Sequence, residues 1–321
     1  MKFLKTKPKF IKLGCLFIGS CLILTGCFHK KADNLSIYKV MGNSQLTSAE
    51  AFTADVCVVP ENTDQDRKAG LNAASSLIFD ITTQEVLFAD NIYQKLYPAS
   101  VTKIVTALVA LKHGNLSDIV TISYNASHIT ELGAKKCGFQ EGDQIPLKDL
   151  LYAFLIYSGN DAGIAIAEHI SGSEEAFAEL MNQEVKALGA VHSNFVNSHG
   201  LHSDNHYTTT YDIYLIFNEC IKDATFLSII KSPYYKLSYQ DKEGIPHTVT
   251  YYSTNRYLLG TELAPKGVTV LGGKTGTTNK AGSCLVLLSE NEAEHSFISV
   301  IFKSETGDTL FSQMTQLLQM E

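Results

Sequence analysis

The stretch "YPASVTKIVTALVALKHG" at residues 97–114 places a hydroxyl and an ammonium at the start of an apolar helix. From Ile104 onward the run is typical of a helix that buries most of its surface. Ser100 and Lys103 precede that run, and their three-residue offset puts both side chains on one helical face. A helix-capping serine is the structural interpretation. The chemical interpretation is that Lys103, kept neutral by burial or by another cation, takes the proton of Ser100 and makes it a nucleophile.

The Ser-x-x-Lys spacing is a weak signal by itself, because the sequence contains it more than once. Further copies run from Ser36 to Lys39 and from Ser228 to Lys231. The spacing therefore needs other motifs beside it before it indicates a catalytic site.

A second motif, Ser-Gly-Asn at residues 158–160, breaks the apolar pattern of "LKDLLYAFLIYSGNDAGIAIAEHISGS" between two predicted helices. The hydroxyl of Ser158 and the amide of Asn160 could relay a proton and hold a substrate amide, although a helix–helix turn uses the same residues structurally. Ser-x-Asn also occurs at residues 203–205, where it would suit a β-lactamase better, and at residues 253–255. We favour Ser158 because flanking helices present it, whereas residue 203 lies in a polar, histidine-rich loop.

A third motif, Lys274-Thr275-Gly276, lies in the glycine-rich stretch "VLGGKTGTTNKAGSCLVLL" at residues 270–288. Glycines there predict an edge strand that a ligand or another backbone can approach closely. Lys274 could hold a substrate carboxylate, while Thr275 and Thr277 supply hydroxyl and N–H donors. The alternative is a turn with an exposed lysine, and the order of the three motifs in one exported chain argues against it.

Strands are predicted at both ends of the folded region, with helices between them. Residues 75–90 read as two strands around a turn, and residues 284–302 as a hairpin. Residues 173–189 have the amphipathic pattern of a helix that stops at a glycine, and residues 308–320 form a last helix.

The N-terminus reads as an export signal. A basic segment, "MKFLKTKPKFIK", precedes an apolar run of 12 residues that is too short for a comfortable membrane span and ends in "LTGC". This ending resembles the bacterial lipobox, so we expect residues 1–26 to be a lipoprotein signal peptide, Cys27 to carry lipid, and residues 27–52 to form a polar tether. "IGSC" at 18–21 is a weaker match; a cleaved signal or a short anchor is the alternative. Each interpretation places the protein outside the cytoplasm.

The charge balance argues against nucleic acid as a partner. The formal net charge of the 321 residues is -7, and without the basic N-terminal segment the chain is more acidic still. The cysteines that remain after the lipobox show no metal-ligand spacing and specify no disulfide. His199, His202 and His206 could bind zinc by spacing, but Gly200 and the polar run around them argue for loop histidines. We therefore expect no metal and no cofactor.

Together the motifs resemble the penicillin-binding serine acyltransferases, most closely the low-molecular-mass D-alanyl-D-alanine carboxypeptidases, from about residue 75 to residue 303. The resemblance implies an α/β (α+β) fold for residues 53–321. In that fold an antiparallel sheet is sandwiched by helices, an all-helical subdomain is inserted at roughly 115–250, and the active site lies in the groove between them. Only 45 residues follow Gly276, so we expect no C-terminal β-domain. Lipid on Cys27 would replace the membrane helix that accompanies that domain in many members.

The same resemblance implies residue roles and an activity. The activity is removal of the terminal D-Ala from peptidoglycan stem peptides, with β-lactams as covalent inhibitors and a part in cell-wall synthesis and cell shape. Ser100 would be the acylated nucleophile and Lys103 its base, while Ser158 and Asn160 would form the second wall of the active site. Lys274 with Thr275 would bind the substrate carboxylate, and Gly276 and Thr277 would also bind substrate. The N–H groups of Ser100 and Thr277 would form the oxyanion hole.

Three other functions remain open at this point. A class A β-lactamase is disfavoured, because the region where its Glu-x-x-x-Asn would lie reads "AVHSNFVNSHG" and contains no acid. Endopeptidase or transpeptidase activity on cross-links would use the same residues. A lipid-anchored penicillin sensor on the same fold would not require Lys103 as a base.

Overall fold

The computed structural model describes residues 60–63, 71–131 and 133–321. The predicted signal peptide, the lipidation site at Cys27, the tether and the predicted domain start at residue 53 lie outside these ranges. Within them, no helix combines the length and apolarity that crossing a membrane requires.

The described strands form two antiparallel sheets. The five-stranded sheet has the order β2-β1-β9-β8-β7, and the four-stranded sheet the order β3-β4-β5-β6. Numbered along the chain, the strands are β1 (Ser75–Asp80), β2 (Glu85–Asp90), β3 (Ile119–Thr121), β4 (Gln144–Pro146), β5 (Tyr234–Gln240), β6 (Pro246–Tyr252), β7 (Val268–Thr278), β8 (Gly282–Asn291) and β9 (Ser296–Ser304).

In the described part of the chain, seven α-helices lie between β2 and β7 and an eighth follows β9. They are α1 (Lys103–His113), α2 (Tyr124–Ser127), α3 (Leu147–Tyr152), α4 (Asn160–Ser171), α5 (Glu174–Ala187), α6 (Thr210–Cys220), α7 (Ala224–Ile230) and α8 (Gly307–Leu318).

Helices cover both faces of the five-stranded sheet. Helix α8 packs on one face, where Leu310 and Met314 share a core with Leu285 and Leu287 of β8. Helix α6 contacts β1 and β9, and the turn that leads into α1 contacts β8. Burial on both faces explains why β8 reads as a continuous apolar run without alternation. The predicted sandwich is confirmed, with strands from both chain ends meeting in one sheet.

The inserted segment is not all-helical, which corrects the expectation for residues 115–250. It holds the four-stranded sheet as well as helices. Strands β5 and β6 form a hairpin around residues 241–245, and their burial alternates. The tyrosine-rich segments on either side of Gly244 carry this period-2 pattern, because β-branched and aromatic residues suit a half-exposed strand.

Candidate active site

Ser100 lies in a 3₁₀ turn, Ala99–Thr102, and α1 begins only at Lys103. The Ser100 hydroxyl is 3.1 Å from Lys103 Nζ, and the side chain forms no helix cap. The capping interpretation is therefore wrong. Ala99 adopts a left-handed φ of 48°, which few non-glycine residues do, and this turn presents Ser100 at the surface of a cavity.

Two glycines allow the backbone to close around this turn. A Cβ on Gly276 would lie 2.8 Å from the Ser100 nitrogen, so only glycine lets β7 run beside Ser100. A Cβ on Gly200 would lie 1.9 Å from the Ala99 carbonyl oxygen. The predicted close approach at the KTG motif is confirmed, and β7 is the predicted edge strand.

Lys103 is fully buried at the centre of a hydrogen-bond cluster. Its Nζ lies 2.7 Å from Asn160 Oδ1 and 2.6 Å from the carbonyl oxygen of His199. The pKa of Lys103 is lowered to about 7, chiefly by burial; Cys137 and Asp161 oppose this shift, and the positive charge of Lys135 contributes to it. The sequence predicted burial or another cation as the cause; burial is the main cause, and Lys135, rather than Lys274, is the cation that contributes. A neutral lysine beside a hydroxyl can act as its base.

Lys274 is also buried and turns inward from β7. Its Nζ donates to Ser158 Oγ at 3.0 Å and to the Thr275 carbonyl oxygen at 2.8 Å. Burial, and then the charge of Lys103, hold the pKa of Lys274 well below its usual range. Ser158 has a left-handed φ of 75° in the predicted break, after a π-helical turn at Ala153–Tyr157. This conformation aims its hydroxyl at the lysine.

These elements enclose a cavity of about 520 Å³. The two buried lysines lie beneath its surface, whereas the smaller polar groups of all three motifs line it. The motif residues that line it are Ser100, Ser158, Asn160, Thr275, Gly276 and Thr277. The structure therefore brings together every predicted site residue in the described part of the chain.

The histidine loop supports Lys103 through its backbone. His199 Nδ1 accepts from the Leu201 N–H at 3.1 Å, which leaves its Nε2 facing Glu174 Oε2 at 3.5 Å. Glu174, at the start of α5, also accepts from the backbone and side chain of Ser198. Sequence reasoning missed Glu174, because 25 residues separate it from His199.

The other two histidines have separate partners. Buried His206 bonds Thr102 Oγ1 at 2.8 Å, and burial lowers its pKa to about 3, so the ring is neutral. His202 lies beside Asp204 and packs edge-on to Tyr97. Within the described ranges, no cluster of three or more His, Cys, Asp or Glu side chains is arranged to hold a metal.

A loop at residues 133–138 forms part of the cavity wall and was also missed. The Asn160 N–H donates to the Lys135 carbonyl oxygen at 2.7 Å. Asp161, directly after the second motif, accepts from the N–H groups of Cys137 and Gly138, each at 2.8 Å. The sequence signal that could have predicted this contact is Asp161, the acid that directly follows the Ser-Gly-Asn motif.

One of the competing Ser-x-Asn stretches contributes its middle residue. Thr254 lines the cavity, and its hydroxyl lies 2.6 Å from Thr275 Oγ1. The competing stretch at residues 203–205 is partly to fully exposed and lines no part of the cavity. The preference for Ser158 therefore agrees with the geometry.

The sequence profile of the family described as D-alanyl-D-alanine carboxypeptidase, peptidase family S11, matches residues 61–306. D-alanyl-D-alanine carboxypeptidase DacF of Bacillus subtilis is 34% identical over 253 residues, covering 77% of this chain and 61% of the relative. DacC of Escherichia coli is 32% identical, covering 85% of this chain and 65% of the relative. The chain thus spans about three fifths of the length of these curated relatives.

Solved structures show the same fold. The DD-transpeptidase of Streptomyces K15 superposes with a TM-score of 0.72 at 25% identity, covering 77% of this chain and 96% of that one. Penicillin binding protein 5 from Haemophilus influenzae gives a TM-score of 0.68 at 31% identity, covering 77% and 70%. Since both the profile match and the identities extend over most of the sequence, the chain belongs to the D-alanyl-D-alanine carboxypeptidase family.

Proposed function

We propose that the protein is a serine D-alanyl-D-alanine carboxypeptidase that removes the terminal D-Ala of peptidoglycan stem peptides through an acyl-enzyme on Ser100. The observation that carries the proposal is the pairing of each motif hydroxyl with a buried lysine, Ser100 with Lys103 and Ser158 with Lys274. Both hydroxyls line one cavity. No cofactor is required for this chemistry.

Acylation begins when neutral Lys103 takes the proton of Ser100 Oγ, which attacks the carbonyl carbon of the penultimate D-Ala. The N–H groups of Ser100 and Thr277 stabilise the oxyanion. As the tetrahedral intermediate collapses, the C–N bond breaks, the leaving amine takes a proton relayed by Lys103 or Ser158, and D-Ala departs. Water then attacks the ester, Lys103 accepts its proton, and the proton returns to Ser100 Oγ.

The terminal carboxylate of the substrate binds at the β7 edge. Thr275 and Thr277 line the cavity there, and Lys274 lies just beneath them. A carboxylate at this position favours the protonated form of Lys274 and so offsets the burial that lowers its pKa. β-Lactams acylate Ser100 in the same way, with their ring carboxylate at the same edge.

We further propose that the protein works outside the cytoplasm and that lipid on Cys27 anchors it to the membrane. The N-terminal sequence supports the anchor. Labelling with a radioactive fatty acid in a bacterial host tests it, and Cys27→Ala is expected to lose the label and leave the membrane fraction. Cys21→Ala, in the weaker lipobox match, serves as the control. Loss of label in Cys21→Ala but not in Cys27→Ala would show that Cys21 is the lipidated residue.

D-Ala release from a pentapeptide tests the activity, together with labelling by a fluorescent penicillin. The wild type is expected to do both, and Ser100→Ala to do neither. Ser228→Ala is the matched control, because Ser228 begins another Ser-x-x-Lys stretch and lies outside the cavity lining. Label without D-Ala release would indicate a penicillin sensor. Rapid release of hydrolysed penicillin would indicate a β-lactamase, and cleavage of cross-linked dimers alone would indicate an endopeptidase.

A further inference from the structure

The Lys, Arg, Asp and Glu residues in the described lining of the cavity are all cations. Lys135 and Arg256 contribute side chains to it, whereas no Asp or Glu belongs to the described lining. The chain as a whole is acidic, with a formal net charge of -7. A cavity of opposite charge to the whole protein suits a ligand with more than one negative group.

The two lining cations differ in their partners. Arg256 pairs with Asp308 at 2.7 Å and stacks over Phe311, so its charge is already compensated. The Lys135 ammonium lies 3.9 Å from the centroid of the Tyr157 ring, and it has no ion pair or hydrogen bond to any described residue. Lys135 is thus the lining cation whose charge an anionic ligand could compensate.

The position of Lys135 is fixed by the catalytic motif itself. Its carbonyl oxygen accepts from the Asn160 N–H at 2.7 Å, and Asp161 accepts from the N–H groups of Cys137 and Gly138 further along the loop. Stacking on Tyr157 then directs the exposed side chain. The ammonium therefore lies beside Tyr157, next in sequence to Ser158, and the backbone of Lys135 is bonded to Asn160 on the same wall of the cavity.

We propose that Lys135 is a specificity-determining residue that binds a side-chain carboxylate on the third residue of the stem peptide, the residue before the two D-alanines. This inference rests on the proposed function above. With the terminal carboxylate at Thr275 and Thr277, the chain upstream of the scissile bond lies along the wall of Asn160. A diamino diacid at the third position places its second carboxylate near Lys135. A lysine at that position would instead place an ammonium there, which the charge of Lys135 repels.

Three pentapeptides that differ at the third residue test the proposal: free diaminopimelate, diaminopimelate with its side-chain carboxylate amidated, and lysine. The measurement is kcat/KM for D-Ala release, compared as a ratio between peptides. The wild type is expected to prefer the free diacid over its amide by about fivefold at low salt, and less at high salt. Lys135→Met keeps the aliphatic contact with Tyr157, removes the charge, and is expected to bring the ratio to about one.

Lys136→Met is the matched control, because Lys136 is the next residue, bonds the Ile129 carbonyl oxygen and lies outside the cavity lining. It is expected to keep the wild-type ratio, as is Lys135→Arg. An equal ratio in the wild type and Lys135→Met overturns the inference while leaving the carboxypeptidase intact. Absence of D-Ala release from all three peptides overturns the proposed function instead.

Discussion

Lys274 Nζ donates to Ser158 Oγ at 3.0 Å, and this contact joins the third motif to the second. The first motif reaches the second in the same way, through Lys103 Nζ and Asn160 Oδ1 at 2.7 Å. The Ser-Gly-Asn segment is therefore the piece that both lysines contact. A small displacement of this segment changes both lysine environments together.

The pKa of Lys103 sets the pH dependence of acylation. Because the neutral amine is the proposed base, the rate of acylation by penicillin is expected to rise as pH increases through about 7. Lys103→Met is expected to lose a factor of about 10³ in that rate. Stopped-flow acylation between pH 5.5 and 8.5 measures both effects, and a flat profile for the wild type would contradict Lys103 as the base.

Protonation of Lys103 also links stability to pH. Its pKa is about 7 in the folded protein and 10.5 in the unfolded chain, so the unfolded state binds more protons between these values. The free energy of unfolding of the wild type, relative to Lys103→Met, is therefore expected to rise with pH above 7. Urea unfolding at pH 6.5, 7.5 and 8.5 measures this difference; a difference that falls with pH would contradict the burial argument.

Gly200→Ala is expected to displace Ser100, the proposed nucleophile. The added Cβ would lie 1.9 Å from the Ala99 carbonyl oxygen, and the φ of +86° is already unfavourable for alanine. We expect a loss of about 3 kcal/mol or more in the free energy of unfolding and almost no penicillin acylation.

Gly244→Ala is its control, because φ is +79° there but the Cβ meets nothing within 4 Å. That variant is expected to lose only about 1 kcal/mol, from backbone strain, and to acylate normally. Equal losses in the two variants, measured by thermal unfolding, would show that the contact with Ala99 contributes nothing.

Gly159 and Cys137 are expected to be energetically coupled. A Cβ on Gly159 would lie 2.2 Å from Cys137 Sγ, so Gly159→Ala is expected to cost about 2 kcal/mol. Removing the sulfur with Cys137→Ala in the same chain is expected to recover part of that loss, because Asp161 Oδ1 would still lie 2.7 Å away. A double-mutant cycle from urea unfolding measures the coupling, and strict additivity would contradict it.

Glu174 is expected to act as a positioning residue for Lys103 through His199. Burial by itself would raise the pKa of Glu174, but its bonds with His199 and Ser198 hold the pKa below its ordinary value, so it is charged at neutral pH. Glu174→Gln is expected to lower the acylation rate about tenfold and to move the apparent pKa of acylation. Glu175→Gln, at the exposed next position, is the control. If the pH profile of acylation were unchanged in Glu174→Gln, the role of Glu174 would be purely structural.

The elements predicted correctly are those that short-range patterns specify. The break at Ser158, the strand pair at 75–90 and the glycine-rich edge at β7 follow from residues adjacent in the chain. The inserted sheet was missed, because β5 and β6 gain stability from pairing with each other and β5 also pairs with β4 across about 90 residues.

The sequence by itself determined the three motifs, their order and hence the family, because a three-residue offset and a glycine in a strand have local physical meanings. Only the tertiary structure decided the environment of those motifs. Burial lowers the pKa of Lys103, Glu174 reaches His199 from the start of α5, and the 133–138 loop brings Lys135 to the cavity wall. These effects depend on desolvation and on hydrogen bonds between distant segments, which no local pattern encodes.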